Sequence, residues 1–109
     1  MKTIQADEFI RLMETVAKAW SDGQMERAAE YYTERALFEF CGNRRPKPPI
    51  RITWLHLFFN ERDQTGIGKY SYQQIGVGSS TAHIIRGYRG LAWIEVEDGK
   101  ISHWREYRL

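Results

Sequence analysis

The sequence is poor in the features that most quickly narrow a reading. It has a single cysteine, Cys41, among 109 residues. No disulfide can therefore close within the chain, which fits a reducing compartment. Its three prolines, Pro46, Pro48 and Pro49, all fall in "PKPP". They exclude a regular helix or a central strand at that point. Neither sign of charge dominates. A formal net charge of +2 is too small to mark a nucleic-acid binder, so nucleic acid is not expected as a partner. No run approaches the roughly 18 apolar residues of a membrane span, and "MKTIQADEF" has no apolar signal core. The expectation is one soluble, cytoplasmic domain over residues 1–109. Internal repeats and low-complexity tracts are absent. The one shift in composition, "GNRRPKPP" at 42–49, reads as a loop inside that domain.

Aromatic residues are plentiful, at 14%. A chain this short buries only about two-thirds of its unfolded surface. Large rings then serve either as economical core or as the lining of a cavity. Phe9, Leu12, Met13, Val16 and Trp20 recur at helical spacing, and Gly23 suits the end of that helix. Met25, Ala28, Ala29 and Tyr32 repeat the pattern in a second, shorter helix. From residue 36 the pattern changes to strands: "ALFEF", then "ITWLHLFF" and "KYSYQQI" as a hairpin over 52–77. "TAHIIRGYRGLAWIEVE" follows as a long strand, with bends expected at Gly87 and Gly90. "EDG" turns it into a final strand. Two helices followed by about five strands, with no βαβ alternation, predict an α+β domain with helices on one face of a curved, mainly antiparallel sheet.

The turn in "EVEDGKI" decides what the last strand faces. A two-residue Asp98–Gly99 turn pairs Glu97 with Lys100 and sets Trp93 opposite Trp104. A three-residue Glu97–Gly99 loop pairs Val96 with Lys100 and sets Ala92 opposite Trp104 and Gly90 opposite Glu106. The second is preferred. It gathers Tyr88, Gly90, Ala92, Ile94 and Val96 with Ser102, Trp104 and Glu106 on the core face, with space beside the indole at Gly90 and Ala92. The other face then carries Leu91, Trp93, Glu95, Ile101, His103, Arg105 and Tyr107. That set is too apolar to be wholly wet and too charged to be core, so it suits a subunit interface.

The stretches "AWSDG", "YYTERALFEF" and "EDGKISHWREY", with "FFNERDQTGIGKYSYQ", resemble the nuclear-transport-factor-2-like superfamily, in particular its small bacterial SnoaL-like, polyketide-cyclase-like members. The resemblance spans nearly the whole chain. It implies a cone-shaped sheet with a pocket between sheet and helices, and a homodimer through the outer sheet face, here Trp93, His103 and Arg105. It places Glu106 where the family's pocket acid stands. The proline-rich 46–49 segment takes the place of the family's third helix, which is expected to be shortened or lost. The epoxide-hydrolase branch pairs its acid with an Arg-x-Asp and with a Tyr and an Asn. Here Tyr72 and Gln74 stand near the first pair and Phe38 and Phe40 at the second, which argues against epoxide hydrolysis.

Glu106 is the candidate catalytic residue. A carboxylate walled by Trp104 and phenylalanines loses hydration, and one tuned this way can abstract a proton beside a carbonyl. The plainer alternative is a structural carboxylate bonded to Tyr72, Tyr70 or an arginine. Trp20, Phe38, Phe40, Trp54, Phe58 and Trp104 are candidate ligand-binding residues, with Tyr72, Gln74 and His56 as polar groups among them; His56 shares a strand face with Trp54 and Phe58. Tyr32 completes the aromatic set. His56, His83 and His103 lack metal-ligand spacing, and neither a metal nor a cofactor is expected. "GVGSS" is followed by no helix and is rejected as a phosphate loop. Cys41 reads as a small buried hydrophobe. Arg44, Arg45, Lys47 and Arg51 read as a solvated basic loop, with an anion clamp as the sharper alternative. The expected function is binding of an apolar or aromatic small molecule, with metal-free acid–base isomerase or cyclase chemistry at Glu106. The alternative is a non-catalytic dimeric module whose pocket its own side chains fill.

Overall fold

The computed structural model describes residues 2–40, 50–77 and 82–109. Cys41, Arg44, Arg45, Lys47 and the segment expected to replace a third helix lie outside the described residues, as does the His83 side chain. Helix α1 spans Ala6–Ser21 and α2 spans Met25–Ala29. Five strands follow: β1 Tyr32–Glu39, β2 Ile50–Asn60, β3 Thr65–Val77, β4 Ala82–Glu97 and β5 Lys100–Arg108. They form one sheet in the order β1-β5-β4-β3-β2, antiparallel except where β1 runs parallel to β5. The sheet is curved and unclosed and the helices cover one face, the expected α+β architecture. No described helix is long and apolar enough to cross a membrane.

α1 forms because its apolar stripe has a surface to meet. Phe9, Met13, Val16 and Trp20 are buried on the sheet, each contributing roughly 1.5–3 kcal/mol by leaving water. The helix starts where the Glu8 carboxylate accepts the Gln5 N–H at 3.2 Å. It ends in a left-handed Gly23, φ +73°. The Gly23 N–H reaches the Trp20 carbonyl at 3.1 Å and the Gln24 N–H the Ala19 carbonyl at 2.8 Å, so the last carbonyls are satisfied. α2 is shorter than its periodicity predicts: Tyr32 opens β1 rather than extending the helix.

Two bulges set which side chains face the helices. Asp98 and Gly99 both have positive φ, +53° and +81°, and Glu97 pairs with Lys100. This is a two-residue hairpin turn, so the three-residue loop is overturned. One residue later, Val96 pairs with Ile101 but Glu95 with His103. Ser102 is the extra residue, its hydroxyl bonded to the Glu95 carbonyl at 3.1 Å. Such an insertion shifts the facing by one. The structure thus takes the turn of one expected register and the facing of the other: Ala92, Ile94, Trp104 and Glu106 are all buried. Ile101, expected on the outer face, precedes the bulge and is buried too.

The second bulge lies in β2. Trp54 pairs with Tyr70 but His56 with Lys69, leaving Leu55 as the extra residue. Ile52 and Trp54 face inward before it, and Leu57 and Phe59 after it; His56 and Phe58 are exposed on the opposite face. The expectation that His56 and Phe58 share a face with Trp54 fails for this reason. Gly87 and Gly90 pair regularly with Gln73 and Tyr70. The irregularity in β4 falls earlier, where Gln74 pairs with Arg86 and Ile75 with Ile84.

Candidate functional site

The inner face of the sheet alternates very small residues with very large ones. Gly66, Gly68, Gly90 and Ala92 are buried there. A Cβ on Gly66 would strike the Phe9 ring, and one on Gly68 the Trp54 indole. Phe9 can therefore drop onto the sheet and stack on Phe59, with centroids 4.5 Å apart. Trp54 reaches over Gly68 on β3, and its N–H donates to the Met13 carbonyl at 2.8 Å, tying α1 to β2.

Gly90 performs the same service for Tyr70. A Cβ at 90 would sit 2.5 Å from the Tyr70 hydroxyl oxygen, so the phenol crosses β4 and meets β5. There its hydroxyl donates to Glu106 Oε1 at 2.9 Å, while the Trp104 indole N–H donates to Oε2 at 2.9 Å. Glu106 is only 7% exposed and is the single buried charged side chain among the described residues. Two charge-assisted hydrogen bonds hold it in one orientation. The space expected beside the indole at Gly90 is occupied by this phenol. Gly90→Ala should force Tyr70 off the carboxylate. The expected cost is about 1–3 kcal/mol, the range for overpacking a filled site, read by denaturant unfolding.

Trp104 links this carboxylate to a cavity. Its ring packs edge-on against Trp20 at 5.0 Å and stacks near Phe38 at 6.2 Å. Trp20 and Phe38 also line an apolar cavity of about 270 Å³, completed by Met25, Tyr32, Phe40, Ile50 and Ile52. None of these carries a formal charge. The Tyr32 hydroxyl is buried without a hydrogen-bond partner of good geometry among the described residues. Burial pushes its pKa above that of an ordinary phenol, with the Trp20 indole opposing in part, so it stays neutral.

The structure thus brings Trp20, Phe38 and Phe40 together at the cavity, with Trp104 behind them. Trp54 touches Trp104, with centroids 5.6 Å apart. Tyr72 is buried against Tyr88 at 5.0 Å, and Gln74 is half-buried on the same strand. His56 and Phe58 stack on each other on the outer face, away from all of these. Sequence reasoning missed Met25, Ile50 and Ile52 as cavity residues. The sequence pointed to Tyr70 only as one partner of a structural Glu106. Its signal was the glycine at position 90 on the core face.

The outer face is mixed, charged toward β1 and apolar toward β2. Cross-strand pairing aligns Glu39, Arg105, Trp93, Ile67 and Phe58 in one row. Phe58 is 68% and Trp93 41% exposed. They share an open groove with Ile67, Glu61 and Asp63. Beside this row, His103 Nδ1 lies 2.7 Å from Glu95 Oε2 and Nε2 2.9 Å from Glu39 Oε2. Those carboxylates, Glu39 first, hold the His103 pKa above the ordinary histidine value.

No family model matches the sequence, and no curated protein matches it. Solved structures do. A Methylobium petroleophilum PM1 protein of unknown function with a cystatin-like fold superposes with a TM-score of 0.77 at 11% identity, over 98% of this chain and 79% of its own. SalBIII, an epoxide hydrolase/cyclase-like enzyme of pyran ring formation in the polyether salinomycin, gives 0.72 at 13% identity, over 96% and 95%. An M. tuberculosis LEH-like epoxide hydrolase gives 0.69 at 13% identity, over 95% and 84%. The chain has the nuclear-transport-factor-2-like fold. At these identities the likeness extends to the fold alone, because one fold carries many chemistries. Within this nuclear-transport-factor-2-like fold, the apolar cavity is lined from both helices and the sheet, and Glu106 is buried beside Tyr70 and Trp104.

Proposed function

We propose that this domain binds a neutral, apolar or aromatic small molecule in the cavity walled by Trp20, Tyr32, Phe38, Phe40, Ile50 and Ile52. The observation that carries the reading is the chemistry of that wall, which offers rings and aliphatic groups and no formal charge. A charged ligand group there would lose its hydration without a partner, at a cost of several kcal/mol. A flat apolar one would replace water on both its faces. Glu106 is assigned the role of base in metal-free acid–base isomerase or cyclase chemistry. In support, it is buried and fixed by two donors, one of which, Trp104, packs behind the cavity walls Trp20 and Phe38.

Two variants test this. Ile52→Trp should fill the cavity and abolish the rise in Tm that neutral one- and two-ring compounds give the wild type. Glu106→Gln should keep the fold, since a carboxamide oxygen can accept from Trp104 while its NH2 donates to the Tyr70 hydroxyl. It should bind the same compounds and lose their conversion, followed by NMR. Full conversion by this variant would remove the catalytic role. No Tm response in the wild type would remove the binding role.

A second reading has its own observation, the exposed row Trp93, Ile67 and Phe58. We infer that this outer face pairs with a second copy of the chain around Trp93, His103 and Arg105. Apolar groups of this size left in water favour association, and the acids Glu39 and Glu95 lie on the same face as the bases Lys69 and Arg89, the mix a self-complementary contact needs.

A further inference from the structure

Strand β1 is fastened to β5 at two points: Tyr32 pairs with Ile101, whose N–H reaches the Tyr31 carbonyl at 2.9 Å, and Leu37–Glu39 pair with His103–Arg105. Among the described residues it is an edge strand with β5 as its one neighbour, and its register breaks between Tyr32 and Leu37. The consecutive pairs beyond the break are Leu37 with His103, Phe38 with Trp104 and Glu39 with Arg105. On the outer face of this short ladder stands the His103 ring, 2.7 Å from Glu95 on β4 and 2.9 Å from Glu39 on β1. Ionised carboxylates accept hydrogen bonds and donate none. Both ring nitrogens can serve them together only when each carries a proton. The imidazolium is then a bolt through three strands. The other groups facing it are Arg105 on β5, whose Nε lies 3.7 Å from the same Glu39 oxygen, and the Trp93 indole N–H, 3.3 Å from Glu95. On the inner side of the same stretch, one residue to either side of Glu39, are Phe38 and Phe40, two walls of the cavity.

We propose that the proton on His103 governs the cavity: it latches β1, which carries Tyr32 and Phe38 and leads directly into Phe40, against β5 and β4, and its loss loosens that wall. The use of the latch rests on the ligand-binding reading above; the latch itself does not. With one proton gone, one carboxylate faces a lone pair and the bonded set Glu39–His103–Glu95–Arg105 passes from neutral to net negative. The edge strand then keeps its backbone pairing with β5 and the inner-face packing of Tyr32 and Phe38 on Trp20 and Trp104, without the bolt on its outer face.

The sign follows from the direction of the shift. The His103 pKa is raised in the folded state. The latch is complete below the unfolded value of about 6.5 and is lost as pH rises through the folded value.

The decisive experiment is amide hydrogen exchange of the whole, ligand-free chain at about pH 6 and about pH 9, bracketing histidine titration and corrected for intrinsic rates. Protection of β1 should fall about tenfold at the higher pH, a modest share of a charge-assisted bond, while α1 holds its protection. His103→Gln should show the lower β1 protection at both values. His103→Lys, charged throughout, should show higher protection than His103→Gln at both. Unchanged wild-type β1 protection, or a pH response that survives in His103→Gln, overturns the latch. In parallel, the neutral fluorophore 1-N-phenylnaphthylamine reports on the cavity. Its Kd should rise about tenfold with the same pH step, matching the loss of the latch. Binding equal at both pH values, with β1 responding, overturns the link to the cavity. A β1 response with no fluorophore bound at either pH supports the latch and overturns the binding reading instead.

Discussion

Trp104→Ala will bring the domain close to unfolding. The indole is 1% exposed and touches three other aromatic rings, Trp20, Trp54 and Phe38. Truncating a buried tryptophan costs about 3–5 kcal/mol. Here the loss also removes the indole N–H that Glu106 Oε2 accepts at 2.9 Å, at about 1.5–3 kcal/mol for a hydrogen bond to a charged group. Net stabilities of single domains run from about 5 to 15 kcal/mol, so the two effects together approach the whole. Trp104→Phe separates them: it keeps most of the ring contacts and removes the N–H. Denaturant unfolding should place Trp104→Phe well above Trp104→Ala. An alanine variant within about 1 kcal/mol of wild type, the effect of an ordinary substitution, would mean that Trp104 does not organise this interior.

Trp93→Glu will have its effect on association rather than on folding. Trp93 lies at the middle strand of the outer row, between Arg105 and Ile67, and is 41% exposed in the single chain. A surface exchange of this kind moves folding stability by about 0.5 kcal/mol or less. In a contact between two copies the same exchange buries a new carboxylate beside Glu95, whose own carboxylate already accepts the Trp93 and His103 bonds. Central aromatic residues of interfaces commonly cost about 2 kcal/mol or more when lost, and every 1.4 kcal/mol is about tenfold in Kd. The expected result by sedimentation equilibrium is a wild-type dimer and a Trp93→Glu monomer, at least about 30-fold weakened. An identical oligomeric state for both would place the interface elsewhere.

Much of the architecture was legible because burial imposes a period. The α1 stripe, the Gly23 stop and the β2–β3 hairpin each follow from spacing and turn chemistry that local sequence carries. The inward facing of Glu106 was legible as well, by a route the turn did not supply. The illegible part depends on single inserted residues. Nothing marks Leu55 or Ser102 as extra, yet each reverses the facing of the residues beyond it, and His56, Phe58 and Ile101 were misplaced for that reason. Tyr32 fits the helical period of α2, but pairing with Ile101, far along the chain, claims it for β1. The Tyr70–Glu106 bond spans an intervening strand, and pairwise register arguments do not reach that far. The aromatic content pointed to rings such as Trp20 and Phe38 on the cavity wall. Its aliphatic members Ile50 and Ile52 were not foreseen, because aliphatic residues on a strand look the same whether they fill a core or line a space.

The parallel seat of β1 on β5 has a consequence for how the molecule is made. α1 and the β2–β3 hairpin can meet while synthesis is still under way, but the first strand has no neighbour until residues near Ile101–Arg105 leave the ribosome. Pairings this distant in sequence are slow, and they keep apolar surface uncovered in the meantime. Tyr32, Leu37 and Phe38 therefore stay exposed until β5 has been made. Completion of this sheet falls to β5, the same strand that carries Trp104 and Glu106, so sheet completion and interior assembly are one event.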